Sequence, residues 1–148
     1  VTTHIVLGQA TGATPNGRRA GEPLSEGAGP QQGFDTKGPT ALLNSVSKFV
    51  PHDSKHWCSP LLNIKLSPGP LQGTSGTQKL VSLIRGWYNL KIWHIQMNCI
   101  SAETMRAAQK DPEKYRNLIV RVAGYSAFFS ELDRATQDEI IARTEYTM

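Results

Sequence analysis

The sequence predicts a mixed α/β fold with parallel strand pairing. Three observations carry this. Strand-like and helix-like segments alternate along the chain. Leu80, Leu83, Ile84, Trp87 and Tyr88 recur at helical spacing. Residues 92–99 alternate polar and apolar side chains at strand spacing. With 148 residues, the chain is long enough for a single domain with a real core.

Each element follows from its local chemistry. The start, VTTHIVLG, lacks a basic flank and a long apolar core, so no signal peptide is expected. A first residue of Val1 and not Met points to processing, or to a piece of something longer. Residues 8–40 form a long Gly/Pro-rich loop in which Pro15-Asn16-Gly17 is a strong turn signal. So long a run is expected to line a site or an interface, with a flexible linker as the alternative. Pro39 opens a helix, where its missing N–H is harmless, and Leu42, Val46 and Phe49 would form the buried stripe. PLLNIKL, residues 60–66, reads as a strand. Thr77 is expected to cap the helix that carries Leu80 to Tyr88.

In the strand IWHIQMNC, Ile92, His94, Gln96 and Asn98 point one way and Trp93, Ile95, Met97 and Cys99 the other. Ser101 is expected to cap a helix carrying Ala102, Met105 and Ala108, which ends at Pro112. NLIVRV is a further strand. Thr136 and Glu139 have the spacing of a capping box, so the chain is expected to close on a helix over 133–146.

Composition excludes several classes. The net charge of +4 is spread in small groups such as Arg18-Arg19, without the basic stripe and interleaved aromatics of a nucleic-acid binder. No run approaches the ~18 apolar residues of a membrane span. Cys58 and Cys99 sit in apolar contexts outside any metal-type motif. They read as buried free thiols of a reducing cytoplasm. His4, His52 and His56 lack partners at metal-ligand spacing, so no metal site is expected.

What remains are His94, Gln96 and Asn98, which line either a polar cavity or a solvated face. Arg121 is a cation in an apolar strand that must meet a carboxylate, a carbonyl or a partner surface. Gly124 on local pattern is a turn glycine.

RVAGYSAFF followed by QDEIIARTE resembles the C-terminal signature of the glycyl radical enzymes, the pyruvate formate-lyase-like superfamily. ATPNGRRAGEPLSEGAGP, DTKGPTALLNSVSK, HIQMN and AQKDPEKYRNLIVRVAGYS also resemble family blocks, in the family's order, across essentially the whole chain. RVAGYSA, HIQMN and ARTE look more like the dehydratase, arylacetate decarboxylase and benzylsuccinate synthase groups than like pyruvate formate-lyase.

The resemblance implies a glycyl-radical domain, residues 1–148, joined to part of the family's α/β barrel, with a radical loop at 118–130. In it Gly124 would hold a carbon radical after modification by a separate activase. That activase would carry the iron–sulfur cluster and S-adenosylmethionine, and this chain would carry no metal. The electron would be shared between the amide nitrogen and the carbonyl across a planar Cα, which a side chain would crowd. Arg121, Val122, Ala123, Tyr125 and Ser126 would support the loop, and burial behind Tyr125, Phe128 and Phe129 would exclude oxygen and water.

His94, Gln96, Asn98, Arg18 and Arg19 are the residues expected near a small-molecule substrate. The family's thiyl cysteine sits in a glycine-cysteine loop upstream of TPNGRR, whereas Cys58 and Cys99 both follow that block. A larger chain bearing that cysteine is therefore an expected partner. Three readings stay open: the radical-bearing part or small subunit of a split enzyme, a spare part for an oxygen-cleaved enzyme, and a structural domain without a radical.

Overall fold

The computed structural model describes residues 3–49 and 61–147. His52, His56 and Cys58 lie outside the described residues, as does the side chain of Phe49.

The centre of the fold is a three-stranded parallel sheet, as the alternation predicts. Its middle strand is β1 (Leu61–Leu66), flanked by β2 (His94–Asn98) and β5 (Glu145–Tyr146). Along β1 the alternation separates two kinds of residue. Leu62, Ile64 and Leu66 are buried in an apolar cluster with Leu42, Leu43 and Val46 of α2 (Pro39–Phe49) and Leu83 of α3 (Gly73–Asn89). Burying each such side chain contributes about 1.5–3 kcal/mol. Asn63 and Lys65 occupy the alternate positions and reach the other way, to Val122 and Ile141.

That second side carries its own core. Met105 and Ala108 of α4 (Ala102–Lys110) pack with Val120, Val122, Phe129, Ile140 and Ile141. These come from β3 (Ile119–Arg121) and the residue that follows it, from the segment after β4 (Ser126–Phe128), and from α5 (Arg134–Ala142). The sheet therefore lies between two apolar clusters, with polar side chains joining it to the second.

Several local expectations are corrected. Thr77 lies inside α3, bonding the Gly73 carbonyl at 3.1 Å, and Gln72 is the cap residue. The cap of α5 is Asp133, whose carboxylate accepts from Thr136 N–H at 3.0 Å and from its hydroxyl at 2.6 Å. Thr136 is thus the recipient of the cap, and Glu139 serves another purpose. The chain closes on β5, not on a helix over 133–146, because Glu145 and Tyr146 pair with β1. A short helix, α1 (Thr3–Gln9), precedes the loop and buries His4 and Ile5. Its seven residues are too few to show a helical period. Cys99 is exposed and not buried. Ser101 caps α4 as expected, accepting from Thr104 N–H at 3.1 Å.

The loop between α1 and α2 is fastened, not free. Ala28 N–H bonds the Leu61 carbonyl at 2.7 Å, and a Cβ on the preceding Gly27 would lie 2.1 Å from that oxygen. Gln32 reaches Glu139 Oε1 at 3.3 Å, and Asp35 accepts from the Thr144 hydroxyl at 2.5 Å and from the Tyr146 hydroxyl. Burial first, and then the Asp35 carboxylate, push the Tyr146 phenol well above its ordinary range.

Removing the α5 cap should be measurable. Asp133→Ala is expected to lower unfolding free energy by about 1 kcal/mol, with Asp133→Asn retaining most of it. The hydrogen bonds from Thr136 hold the Asp133 carboxyl below its usual value. Its contribution is therefore complete above the ordinary carboxylate range and is lost as pH falls through the depressed value. In denaturant titrations against pH the gap between parent and Asp133→Ala should narrow as pH falls; a constant gap would contradict the assignment.

Candidate functional site

The segment around Gly124 is the tip of an antiparallel hairpin. β3 and β4 pair Ile119 with Phe128, Val120 with Ala127 and Arg121 with Ser126. Val122 N–H then bonds the Tyr125 carbonyl at 2.9 Å, closing a tight turn over 122–125. Gly124 has φ of 82°, in the left-handed region that residues with a side chain rarely adopt. The backbone angle, not crowding, selects glycine, because an added Cβ would meet nothing within 4 Å.

One side of the tip is buried and the other is open. Val122 and Ala123 are 0% and 3% exposed, whereas Gly124 is exposed and Tyr125 and Phe128 are 46% and 38% exposed. The expected burial of the glycine behind Tyr125 and Phe128 is thus corrected for this chain. Only Phe129 of the three aromatics is enclosed. Arg121 finds partners, as its position in an apolar strand requires, although they are an amide, a hydroxyl and a carbonyl.

The hairpin rests on a polar patch of the sheet. Across β1 and β2, Asn63 stands opposite Gln96 and Lys65 opposite Asn98. Asn98 brackets Arg121, accepting from its backbone N–H at 2.7 Å and donating to its carbonyl at 2.6 Å. Gln96 Oε1 accepts from Gly124 N–H and from Arg121 Nε, both at 3.0 Å. Asn63 donates to the Val122 carbonyl at 3.3 Å, and Lys65 Nζ donates to the Ile141 carbonyl at 2.8 Å. Arg121 Nη1 donates to the Ser126 hydroxyl at 3.2 Å, and Nη2 to the Gly124 carbonyl at 3.4 Å. Gln96 and Asn98 are buried, so the polar face of HIQMN meets backbone here, not solvent. His94 is half-buried and contacts the Gln96 amide at 3.1 Å.

A charged cluster supports the turn from behind. Arg143 Nη1 donates to the Val122 carbonyl at 3.0 Å while Nη2 and Nε hold Glu139 at 2.8 and 3.1 Å. His4 Nε2 lies 3.4 Å from the same carboxylate. Burial alone would push the Glu139 carboxyl up, but the bonds from His4 and Arg143 and the charge of Arg143 leave it below its usual value.

Arg18 and Arg19 stand apart from this site. Arg18 is buried and clamps the loop, donating to the Glu22 carbonyl at 2.5 Å, the Thr11 carbonyl at 3.3 Å and the Gly12 carbonyl. Arg19 is exposed, and its backbone N–H bonds Glu22 Oε2 at 2.9 Å. Among the described residues no group of three or more His, Cys, Asp or Glu is placed to hold a metal ion, and no helix is long and apolar enough to cross a membrane.

Three residues of the site escaped the sequence reading: Asn63, Lys65 and Arg143. For the first two a signal was present, since they are the polar alternates in an otherwise aliphatic strand. Arg143 stands in the ARTE block, but nothing local showed its role, because its partner Val122 is reached only through folding.

Comparison with known proteins places this geometry among relatives. The glycine radical family profile matches residues 24–130. The chain is 49% identical over 143 residues to the isethionate sulfite-lyase of Bilophila wadsworthia, covering 97% of this chain and 17% of that protein. It is 44% identical over 146 residues to the trans-4-hydroxy-L-proline dehydratase of Clostridioides difficile, covering 99% and 18%. The solved B12-independent glycerol dehydratase of Clostridium butyricum superposes with a TM-score of 0.89 at 48% identity, over 99% of this chain and 18% of the other. The chain thus spans less than a fifth of the length of these relatives.

The hairpin's dependence on the sheet can be measured directly. Asn98→Ala leaves the Arg121 N–H and carbonyl without their partner and should destabilise the fold by about 2–4 kcal/mol. Amide hydrogen exchange at Arg121 and Gly124 should accelerate with it. Unchanged exchange there would show that Asn98 does not hold the turn.

Proposed function

The chain belongs to the glycine radical family, and from that premise we propose that it is the radical-bearing portion of a lyase- or dehydratase-type enzyme, with Gly124 as the radical site. The observation that carries this reading is the placement of Gly124. It sits at a positive φ on an exposed tip, and the position a side chain would take faces open space. An α-hydrogen there is open to an abstracting group, while the flanking backbone is held on the other side.

The chemistry proposed for Gly124 has two steps. An activating radical-SAM enzyme, using S-adenosylmethionine at an iron–sulfur cluster, removes one hydrogen atom from Cα and leaves the unpaired electron there. In turnover, Cα takes a hydrogen atom from a cysteine thiol, restoring Cα–H and leaving a sulfur radical to act on a small-molecule substrate. That cysteine is assigned to a segment outside this sequence, or to a larger partner chain. The segment over 8–40 favours an integral portion of an enzyme over a spare part. Through Gln32, Glu139 and Arg143 it joins the same network that reaches Val122. The open hairpin, with Tyr125 exposed at its tip and Phe128 and Ile119 exposed along its strands, supports burial against such a partner.

The radical assignment is tested by electron paramagnetic resonance after anaerobic treatment with the activating enzyme, with and without a candidate large chain. A doublet is expected that collapses to a singlet when Cα is deuterated and disappears in Gly124→Ala. A control enzyme that activates while this chain gives no doublet in any combination would refute the assignment.

The partner has a separate test. Anaerobic co-purification from the native source should recover Gly124 together with the family's glycine-cysteine loop, on one polypeptide or two. Recovery of this chain as a stable monomer would favour the autonomous module.

A further inference from the structure

We propose that Gln96 and Arg121 form a push–pull pair that tunes the electronic state of Gly124 as well as positioning it. The inference rests on Gly124 being the radical site. Gln96 Oε1 accepts from the Gly124 N–H at 3.0 Å, and Arg121 Nη2 donates to the Gly124 carbonyl at 3.4 Å. The two side chains fix each other, since Arg121 Nε donates to the same Gln96 oxygen at 3.0 Å.

The orientation of the Gln96 amide follows from its neighbours. Only its oxygen can face two N–H donors, so its NH₂ faces His94 Nε2 at 3.1 Å, which accepts in the matching tautomer.

The electronic consequence is directional. A radical at Cα shares its electron with the nitrogen lone pair on one side and the carbonyl π system on the other. An acceptor on the N–H raises electron density at nitrogen, and a cationic donor on the carbonyl draws density towards oxygen. Both bonds favour delocalisation, and the Gln96 bond is the closer of the two, 3.0 Å against 3.4 Å. The turn has other supports besides this pair. Asn98 brackets Arg121 and Arg143 holds the Val122 carbonyl, and neither bonds a peptide atom of Gly124.

The test compares activated parent, Gln96→Met, Gln96→Glu, Arg121→Met and Arg143→Met. All carry ¹⁵N-glycine, in the combination that gives the parent its doublet. Electron–nuclear double resonance reads the nitrogen coupling, and signal decay reads lifetime. In Gln96→Met the coupling should fall and the half-life shorten by about three- to tenfold, as expected for losing one hydrogen bond. Gln96→Glu should keep or raise the coupling, and Arg121→Met should shorten the half-life.

Arg143→Met, a variant of a purely supporting residue, should leave the nitrogen coupling unchanged. An unchanged coupling in Gln96→Met overturns the proposal, and so does an equal fall in Arg143→Met. If Gln96→Met carries no doublet, Gln96→Glu decides: parent-like or larger coupling supports the proposal, and a smaller coupling or no doublet overturns it. A parent without any doublet overturns the Gly124 assignment itself, which is a different result.

Discussion

The structure depends on side-chain hydrogen bonds from one face of a small parallel sheet to the backbone of a hairpin tip. Asn63, Gln96 and Asn98 occupy positions where a two-layer sheet would ordinarily carry aliphatic groups. Buried polar side chains are costly without partners, and each of these three finds one in residues 121–124. The exchange is mutual. A tight turn at positive φ exposes peptide groups that no strand can pair, and the sheet provides donors and acceptors at their spacing. Apolar packing could anchor Val122, but it could not set the direction of the Gly124 N–H.

The same logic explains why the C-terminal segment is so polar for an interior element. Glu139 is bound by Arg143, His4 and Gln32, which come from the end of α5, from α1 and from the long loop. One carboxylate thereby gathers three regions distant in sequence. A buried charge pair adds little net stability against an apolar replacement, but losing one partner is expensive. The arrangement therefore favours one docking geometry over neighbouring ones. Arg143 extends that specificity to the Val122 carbonyl, two residues from the glycine.

For function, the consequence is asymmetry at the tip. The inner side of residues 121–124 is bonded to a rigid sheet, while the outer side of Gly124 is open and flanked by Tyr125, Ser126 and Phe128. A reactive Cα needs both: a fixed backbone, so that its orbital direction is defined, and access from outside for hydrogen transfer. Lost burial at the aromatics is the complement of that access. Their apolar surface is what a covering chain or segment would enclose.

Local sequence chemistry was enough to identify the pieces. PLLNIKL read as a strand, the alternation around HIQMN made it another, Pro39 and Ser101 opened helices, and the RVAGYSAFF and ATPNGRR blocks carried the family resemblance. Those features are local, because period, caps and turn residues are read within a few positions. Tertiary structure alone decided where the polar alternates point. From HIQMN one reads that His94, Gln96 and Asn98 share a face, but not that a hairpin more than twenty residues later covers it. It also decided that Asp133 and not Thr136 caps α5, that the last residues complete the sheet, and that Arg143 reaches Val122. Each of these rests on which backbone groups remain unpaired once the layers dock, and no local window contains that information.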